Sequence, residues 1–164
     1  GNKLVAWLTG SDVMSLKWLH GQPAKGIVNI SSGKIKTGDF VFKITDNKVS
    51  VKPVLDGNRF IMKVKMDVEG DIGEIQNEKF NTYDIALIHQ MEDLVKQKIM
   101  QSCSQLFNKL VNELKTDCIE LGRRVENYYP DFWEKNKNRW KEYFVNSALE
   151  MEVEVKLRRV GVIK

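Results

Sequence analysis

The sequence predicts an α+β domain, in which an antiparallel sheet of four to six strands packs against one long helix and two or three shorter helices. Apolar and polar residues alternate over residues 59–69 and 149–159, as in strands with one buried face. An apolar stripe at helical spacing covers about 30 residues from Ile85 to Leu114. A second helix pattern, rich in aromatic residues, begins at Pro130.

Length and charge limit the class of protein. The chain has 164 residues and a net charge of +4, with 12 basic and 9 acidic residues in 1–83 against 14 and 13 in 84–164. Such an even distribution argues against a dedicated nucleic-acid binder. We expect 1–164 to form a single domain of a longer protein, because the chain starts at Gly1-Asn2 directly before an apolar run.

The first third of the chain reads as strand, helix, strand. Lys3–Leu8 is an apolar strand candidate, and a short helix over Asp12–His20 follows, with Ser11 as its N-cap. Gly21 is suited to end that helix. The next predicted strand covers Lys25–Ser31.

Two hairpins are predicted next. Strands over 39–45 and 48–54 are joined at Asp46-Asn47, and Asp56-Gly57 forms the second turn. The strand Arg59–Glu69 follows and extends past a bulge through Ile72–Ile75.

A long helix capped by Asp84 comes after these strands. Cys103 lies within it and Cys118 beyond it. Two cysteines form no disulfide framework, and we expect unpaired, packed thiols, although a bond between them is left open.

The segment after the long helix carries the most distinctive residues. Asp117 is suited to cap a helix or to pair with Arg123 or Arg124, and Gly122 to adopt a turn with positive φ. The helix that begins at Pro130 places three aromatic residues on one face: Trp133, Trp140 and Phe144. We interpret this ridge as core; a ligand-contacting aromatic cluster is the alternative.

The last predicted strand, Leu149–Arg159, directs Glu150, Glu152 and Glu154 outward. These carboxylates would complement the Lys63 and Lys65 face if the two strands are neighbours.

No catalytic, metal or cofactor motif is found in the sequence. His20 and His89 are the only histidines, and no cluster of cysteines or carboxylates accompanies them. Cys118 has no visible base beside it, and Gly70-Asp-Ile-Gly73 lacks the spacing of a phosphate loop. We therefore predict that the chain is not an enzyme.

Basic residues around the same junction form a candidate interaction surface for an acidic partner or anionic lipid. A solvated helix face is the simpler interpretation. The residues are Arg123, Arg124, Lys135, Lys137 and Lys141.

These residues together resemble the C-terminal domain of the Ger(x)C family, the lipoprotein C subunits of nutrient germinant receptors in bacterial endospores. The opening Lys3–Leu8 segment, the 25–28 strand and the Lys48–Pro53 strand match the family's first half. The spaced signature matches at Asp117, Gly122, Tyr129-Pro130, Trp133, Trp140 and Phe144, and the 158–161 ending matches as well.

The resemblance implies a binding or assembly function, without a cofactor. It implies a C-terminal domain of a longer lipoprotein, lipid-anchored through an N-terminal segment on the outer surface of the spore inner membrane. It implies two integral-membrane partners, the A and B receptor subunits, with which the protein triggers germination in response to a nutrient that remains unidentified. Direct sensing of a small nutrient is the main alternative, and a basic surface-binding module is the third.

Overall fold

The computed structural model describes residues 10–33, 35–75 and 84–160. The predicted strand Lys3–Leu8 lies outside these residues. The strands are β1 (Gly26–Ile30), β2 (Phe40–Asp56), β3 (Arg59–Ile75) and β4 (Ala148–Val160). The helices are α1 (Gly10–Leu19), α2 (Ile85–Asn108), α3 (Leu121–Tyr128), α4 (Pro130–Asn136) and α5 (Trp140–Val145). A π-helical turn, Lys109–Leu114, continues α2, and a 3₁₀ turn, Lys137–Arg139, joins α4 to α5.

The strands form one sheet in the order β1-β2-β3-β4. The α+β class is confirmed, but the sheet is not antiparallel throughout, because β4 runs parallel to β3. Between them the chain crosses the sheet through the helices, and such a crossover returns a strand in the same direction. The predicted charge complementarity is confirmed: Lys63 is paired with Glu150 and Lys65 with Glu152 in the register.

The prediction of a hairpin at Asp46-Asn47 was wrong. β2 continues through these residues as one strand of 17 residues. A register shift between Ile44 and Asp46 marks a bulge, so the inward face changes from even-numbered to odd-numbered residues without a chain reversal. The turn at Asp56-Gly57 is confirmed, with Gly57 at a φ of +62°.

The core lies between one face of the sheet and the helices α1 and α2. The inward residues of β3 are almost completely buried, as the alternation predicts: Phe60, Met62, Val64, Met66 and Val68. Facing them, α2 buries one stripe of side chains: Leu87, Met91, Val95, Ile99, Cys103 and Leu106. On β4 only Val153 is completely buried, while Leu149, Met151, Val155 and Leu157 are partly covered and pack against the core.

The long helix was predicted correctly. Asp84 caps it by accepting a hydrogen bond from the Leu87 amide at 3.2 Å. Its last turn widens to a π-helix, and Lys115 then ends it in the left-handed conformation, with φ at 51°. Within the described residues the short first helix covers Gly10–Leu19, so the predicted cap position, Ser11, lies inside the helix and not before it. Gly21 ends the helix with φ at +79°, as predicted.

Candidate functional site

Asp117 organises the junction between the long helix and α3. Its carboxylate accepts hydrogen bonds from the amides of Leu121 at 2.9 Å and Gly122 at 2.7 Å, at the start of α3. The indole Nε1 of Trp140 donates a third hydrogen bond to the same carboxylate, at 2.8 Å. The predicted cap is therefore confirmed, but the third partner is a tryptophan on α5 and not an arginine.

Gly122 does not adopt a positive φ, so that prediction was wrong; it lies inside α3 and is buried. The glycine is required for close packing. A Cβ atom at this position would lie 2.8 Å from Nε1 of Trp140 and 3.0 Å from Cη2 of Trp133. Both tryptophan rings therefore pack directly on the backbone of α3, which only a residue without a side chain allows.

The predicted aromatic ridge is divided between two helices. Trp133 lies on α4, and Trp140 and Phe144 lie on α5 after the 3₁₀ turn. The two tryptophan rings are 5.4 Å apart between centroids, and Phe144 is completely buried. Both tryptophans are only partly buried, so the ridge is the border of the core and not its centre.

The aromatic residues also hold the end of the β2–β3 hairpin. The Phe60 ring meets Phe132 and Tyr129 edge-on, with centroids 5.0 Å and 5.6 Å away, and the tilted ring of Trp140 at 5.8 Å. The Tyr129 hydroxyl accepts a hydrogen bond from the Leu55 amide at 3.2 Å. These contacts explain the cluster as packing, with each ring held by another element of the fold.

Arg124 is half-buried and joins three elements. Its guanidinium donates to the carbonyl oxygen of Val51 on β2 at 3.2 Å and to that of His20, directly after α1, at 2.6 Å. A cation at the carbonyl end of a helix is favoured by the helix dipole. The guanidinium of Arg124 therefore forms its hydrogen bonds inside the domain. The sequence contains no sign of this, because Arg123 and Arg124 are adjacent and of the same type.

The other basic candidates are exposed. Arg123 lies 3.6 Å from Glu120, and Lys137 lies 3.0 Å from Glu134, both as pairs three residues apart on a helix. Lys135 and Lys141 make no ion pair with any residue in the described ranges. Of the five basic residues predicted as an interaction surface, four are thus exposed: Arg123, Lys135, Lys137 and Lys141.

Sequence reasoning missed the buried amide of Asn47. Its Oδ1 accepts hydrogen bonds from the Trp18 indole and from the Ala24 amide, both at 3.0 Å, and its Nδ2 donates to the Ala24 carbonyl at 2.9 Å. The side chain thereby ties the segment after α1 to the bulge in β2. One signal was present, because the apolar positions change from even to odd numbers between Ile44 and Val49, as they do across a bulge.

The thiols are unpaired, as predicted. Burial raises the pKa of Cys103 to about 12. Partial burial, with a smaller contribution from the Asp117 carboxylate, also raises the pKa of Cys118. Both cysteines therefore remain protonated at neutral pH, whereas a nucleophilic cysteine is a thiolate.

The histidines are separate from each other and each has a carboxylate neighbour. Nδ1 of His20 lies 3.9 Å from Glu120, and Nδ1 of His89 lies 3.0 Å from Glu92. Within residues 10–33, 35–75 and 84–160, no group of three side chains is arranged to hold a metal ion. None of the helices in these ranges is long and apolar enough to cross a membrane.

An open groove runs between α1, β1 and α2. It has a volume of about 230 Å³. Its walls are mainly apolar, formed by Met14, Trp18, Ile27, Val28 and Ile99, with Ser15, Asn29, Lys98 and Ser102 among them.

Known proteins resemble this chain over nearly its whole length. A family model described as spore germination B3/GerAC like, C-terminal, matches residues 1–161. Spore germination protein B3 of Bacillus subtilis (strain 168) is 26% identical over 162 residues, which are 99% of this chain and 42% of that protein. Spore germination protein KC of the same organism is 26% identical over 157 residues, 95% of this chain and 38% of that protein.

A crystal structure of the GerBC protein has the same fold. It superposes with a TM-score of 0.79 at 22% identity, over 92% of this chain and 46% of that one. The chain thus spans less than half the length of these relatives. The family-model match over residues 1–161 shows that the chain belongs to the spore germination B3/GerAC-like C-terminal domain family.

Proposed function

We propose that the chain is a non-catalytic module of a nutrient germinant receptor, which contributes to spore germination by assembling with the integral-membrane A and B subunits. The observation that carries this proposal is the membership of a spore germination family over residues 1–161. The chemistry of the described residues supports it, because the distinctive side chains, from Asp117 to Trp140, are used to hold the fold together.

In this proposal the chain is the C-terminal domain of a longer lipoprotein. An N-terminal lipid anchor would hold the whole protein on the outer surface of the spore inner membrane. The domain would then reach the membrane subunits through its own surface. The chain's similarity to less than half of each relative's length supports this arrangement.

The surface proposed for this contact is the exposed basic part of the α3–α5 region. Arg123, Lys135 and Lys141 extend from three consecutive helices, and all three are exposed. Charged groups at the rim of an interface steer association and make it dependent on salt. Arg124 is excluded from this surface because both of its carbonyl partners lie within the domain.

A pull-down against the soluble loops and domains of the A and B subunits tests the proposal. Wild type is compared with Arg123→Glu, Lys135→Glu and Lys141→Glu, each first shown to keep the wild-type melting temperature. Lys96→Glu, an exposed charge on α2, is the matched control. We expect the first three variants to weaken binding and the control to bind as wild type does. Failure of the wild type to bind at high micromolar concentration would refute the assembly proposal for this domain.

Direct sensing of a nutrient is a second candidate because of the groove between α1, β1 and α2. A volume of about 230 Å³ would admit only a small molecule. Apolar walls with the Lys98 ammonium among them would suit a small amphiphilic solute. Thermal melting with a panel of amino acids and sugars tests this function, since a ligand at about 100 times its Kd stabilises the native state by roughly 2.7 kcal/mol. Ile27→Trp, at an exposed position in the wall of the groove, would fill the groove without changing the core and should abolish any shift.

A further inference from the structure

The strand β4 forms one edge of the sheet, and no described strand lies on its outer side. It is 13 residues long. Its inward residues Met151 and Val155 are only half-buried, whereas Val64 and Val68, at the corresponding positions of β3, are almost completely buried. A long edge strand with partly exposed apolar residues is a template for pairing with another strand.

The outer face of β4 carries an ordered sequence of charges. Glu150, Glu152 and Glu154 come first, and Lys156 and Arg158 follow at the same spacing. All five side chains are exposed. The strand thus has an acidic first half and a basic second half on one face, which makes it complementary to an antiparallel copy of itself.

We propose that β4 is a homodimerisation strand, which pairs antiparallel with β4 of a second copy of this chain about a twofold axis at Glu154. In this register Glu152 of each copy faces Lys156 of the other, and Glu150 faces Arg158. A twofold axis repeats each pair, so every complementary contact occurs twice. The two four-stranded sheets would become one continuous sheet.

The backbone of β4 is consistent with this pairing. The Leu157 amide donates to the Glu92 carboxylate of α2 at 2.9 Å, so this N–H serves a side chain from another element. Since N–H groups alternate in direction along a strand, those of Val153 and Val155 are directed to the same side as that of Leu157. Around the axis, Val153 of one copy and Val155 of the other would exchange backbone hydrogen bonds, and Glu92 would limit how far the ladder extends.

The order of the charges favours a second copy over an unrelated strand. A basic partner strand would satisfy the three glutamates but would oppose Lys156 and Arg158. A second copy presents the reverse order in the antiparallel direction. Lys63 already lies 4.0 Å from Glu150, and Arg158 lies 2.5 Å from Glu69, so the pair of Glu152 and Lys156 is the cleanest test.

Sedimentation equilibrium from low micromolar to near-millimolar concentration measures the dimer. Glu152→Lys and Lys156→Glu each place like charges opposite each other twice, so each should weaken dimerisation by roughly tenfold or more. The double variant Glu152→Lys/Lys156→Glu restores complementarity and should restore the wild-type Kd. Glu154→Gln removes the repulsion at the axis and should tighten the dimer. Lys96→Glu on α2 should leave it unchanged.

Val155→Pro removes an edge N–H that β3 does not use and should abolish the dimer while the monomer keeps its fold. Circular dichroism verifies the fold of each variant. A wild-type chain that is monomeric up to near-millimolar concentration would overturn the proposal. A dimer for which the double charge exchange does not reverse the effect of the single exchanges would also overturn it, since its contacts would then lie elsewhere.

Discussion

The Asp117 carboxylate accepts a hydrogen bond from the indole of Trp140 at 2.8 Å, across 23 residues of chain. The same carboxylate caps the start of α3 through the amides of Leu121 and Gly122. One side chain therefore sets both where α3 begins and where α5 packs against it. This arrangement explains why an aspartate, a glycine and a tryptophan are needed together.

Asp117→Ala should destabilise the domain by about 2–4 kcal/mol. The change removes a carboxylate acceptor from three donors, and a hydrogen bond to a charged group contributes about 1.5–3 kcal/mol net. The total loss is smaller than the sum of three such bonds because water can reach the partly buried donors in the variant. Trp140→Phe, which keeps a ring but loses the N–H, should cost about 1–2 kcal/mol by the same reasoning. Urea unfolding of both single variants and of the double variant gives the coupling energy. Strictly additive effects would show that the Asp117–Trp140 contact is not energetically important; Glu126→Ala, an exposed change on α3, is the control.

Gly122→Ala should destabilise the domain by about 1–3 kcal/mol, because a Cβ would overlap the tryptophan rings. Helix propensity alone predicts the opposite sign, since alanine is favoured over glycine by about 1 kcal/mol inside a helix. The change in melting temperature of Gly122→Ala shows which of the two effects, steric overlap or helix propensity, is larger. Gly10→Ala in α1 is the matched control, because no atom of the described residues lies within 4 Å of the added Cβ, and its effect should be neutral or stabilising.

Asn47→Ala should destabilise the domain by about 2–4 kcal/mol, because the buried Trp18 indole and the Ala24 amide would lose their acceptor. Chemical denaturation measures the loss, and near-ultraviolet circular dichroism should show a changed Trp18 environment. Asp46→Ala, at the exposed neighbouring position in the bulge, should change stability by no more than about 0.5 kcal/mol. Equal losses of stability in Asn47→Ala and Asp46→Ala would show that the backbone of the bulge, and not the hydrogen bonds of the Asn47 amide, stabilises this region.

Cys103 should make stability decrease in alkaline solution. Its pKa is raised from 9.0 to about 12 in the folded state, so the stabilisation is present below pH 9 and is lost as the unfolded thiol ionises between pH 9 and about pH 12. The slope for one such group is at most about 1.4 kcal/mol per pH unit. Cys103→Ala lacks this titration, and the stability advantage of the wild type should shrink across this range. An advantage that stays constant with pH would show that Cys103 is accessible to solvent in the folded state.

The elements that the sequence predicts well are those in which a regular hydrophobic pattern repeats over many residues. The alternation over Arg59–Glu69 and the helical stripe from Ile85 to Leu114 each repeat often enough to exclude other periods, and both are present in the structure. Pro130 correctly marks the start of a helix, because the first turn is the part of a helix that tolerates proline. The prediction failed where a short polar pair had two interpretations: Asp46-Asn47 fits a turn or a bulge equally well by composition, and only the buried partners of Asn47 select the bulge.

The sequence predicted which residues belong to the candidate site but not which contacts these residues make in the fold. Arg123 and Arg124 are adjacent and chemically identical, yet only Arg124 reaches the carbonyls of Val51 and His20. Which of the two faces inward depends on the position of α3 against β2, and this is set by contacts between elements far apart in the chain. Gly122 shows the same limit, because its role depends on two tryptophan rings from other helices.

The sequence by itself determined the class of fold, the buried face of each long element and the family to which the chain belongs, since periodicity and spaced motifs are local properties. The tertiary structure alone decided the parallel direction of β4, the bulge between Ile44 and Asp46, the contact of Asp117 with Trp140 and the partners of Arg124. The side-chain contacts among these features join residues from 23 positions apart, as in Asp117 and Trp140, to 104 positions apart, as in His20 and Arg124. Local propensity carries no information about such contacts, because their energy arises only when separate elements pack together.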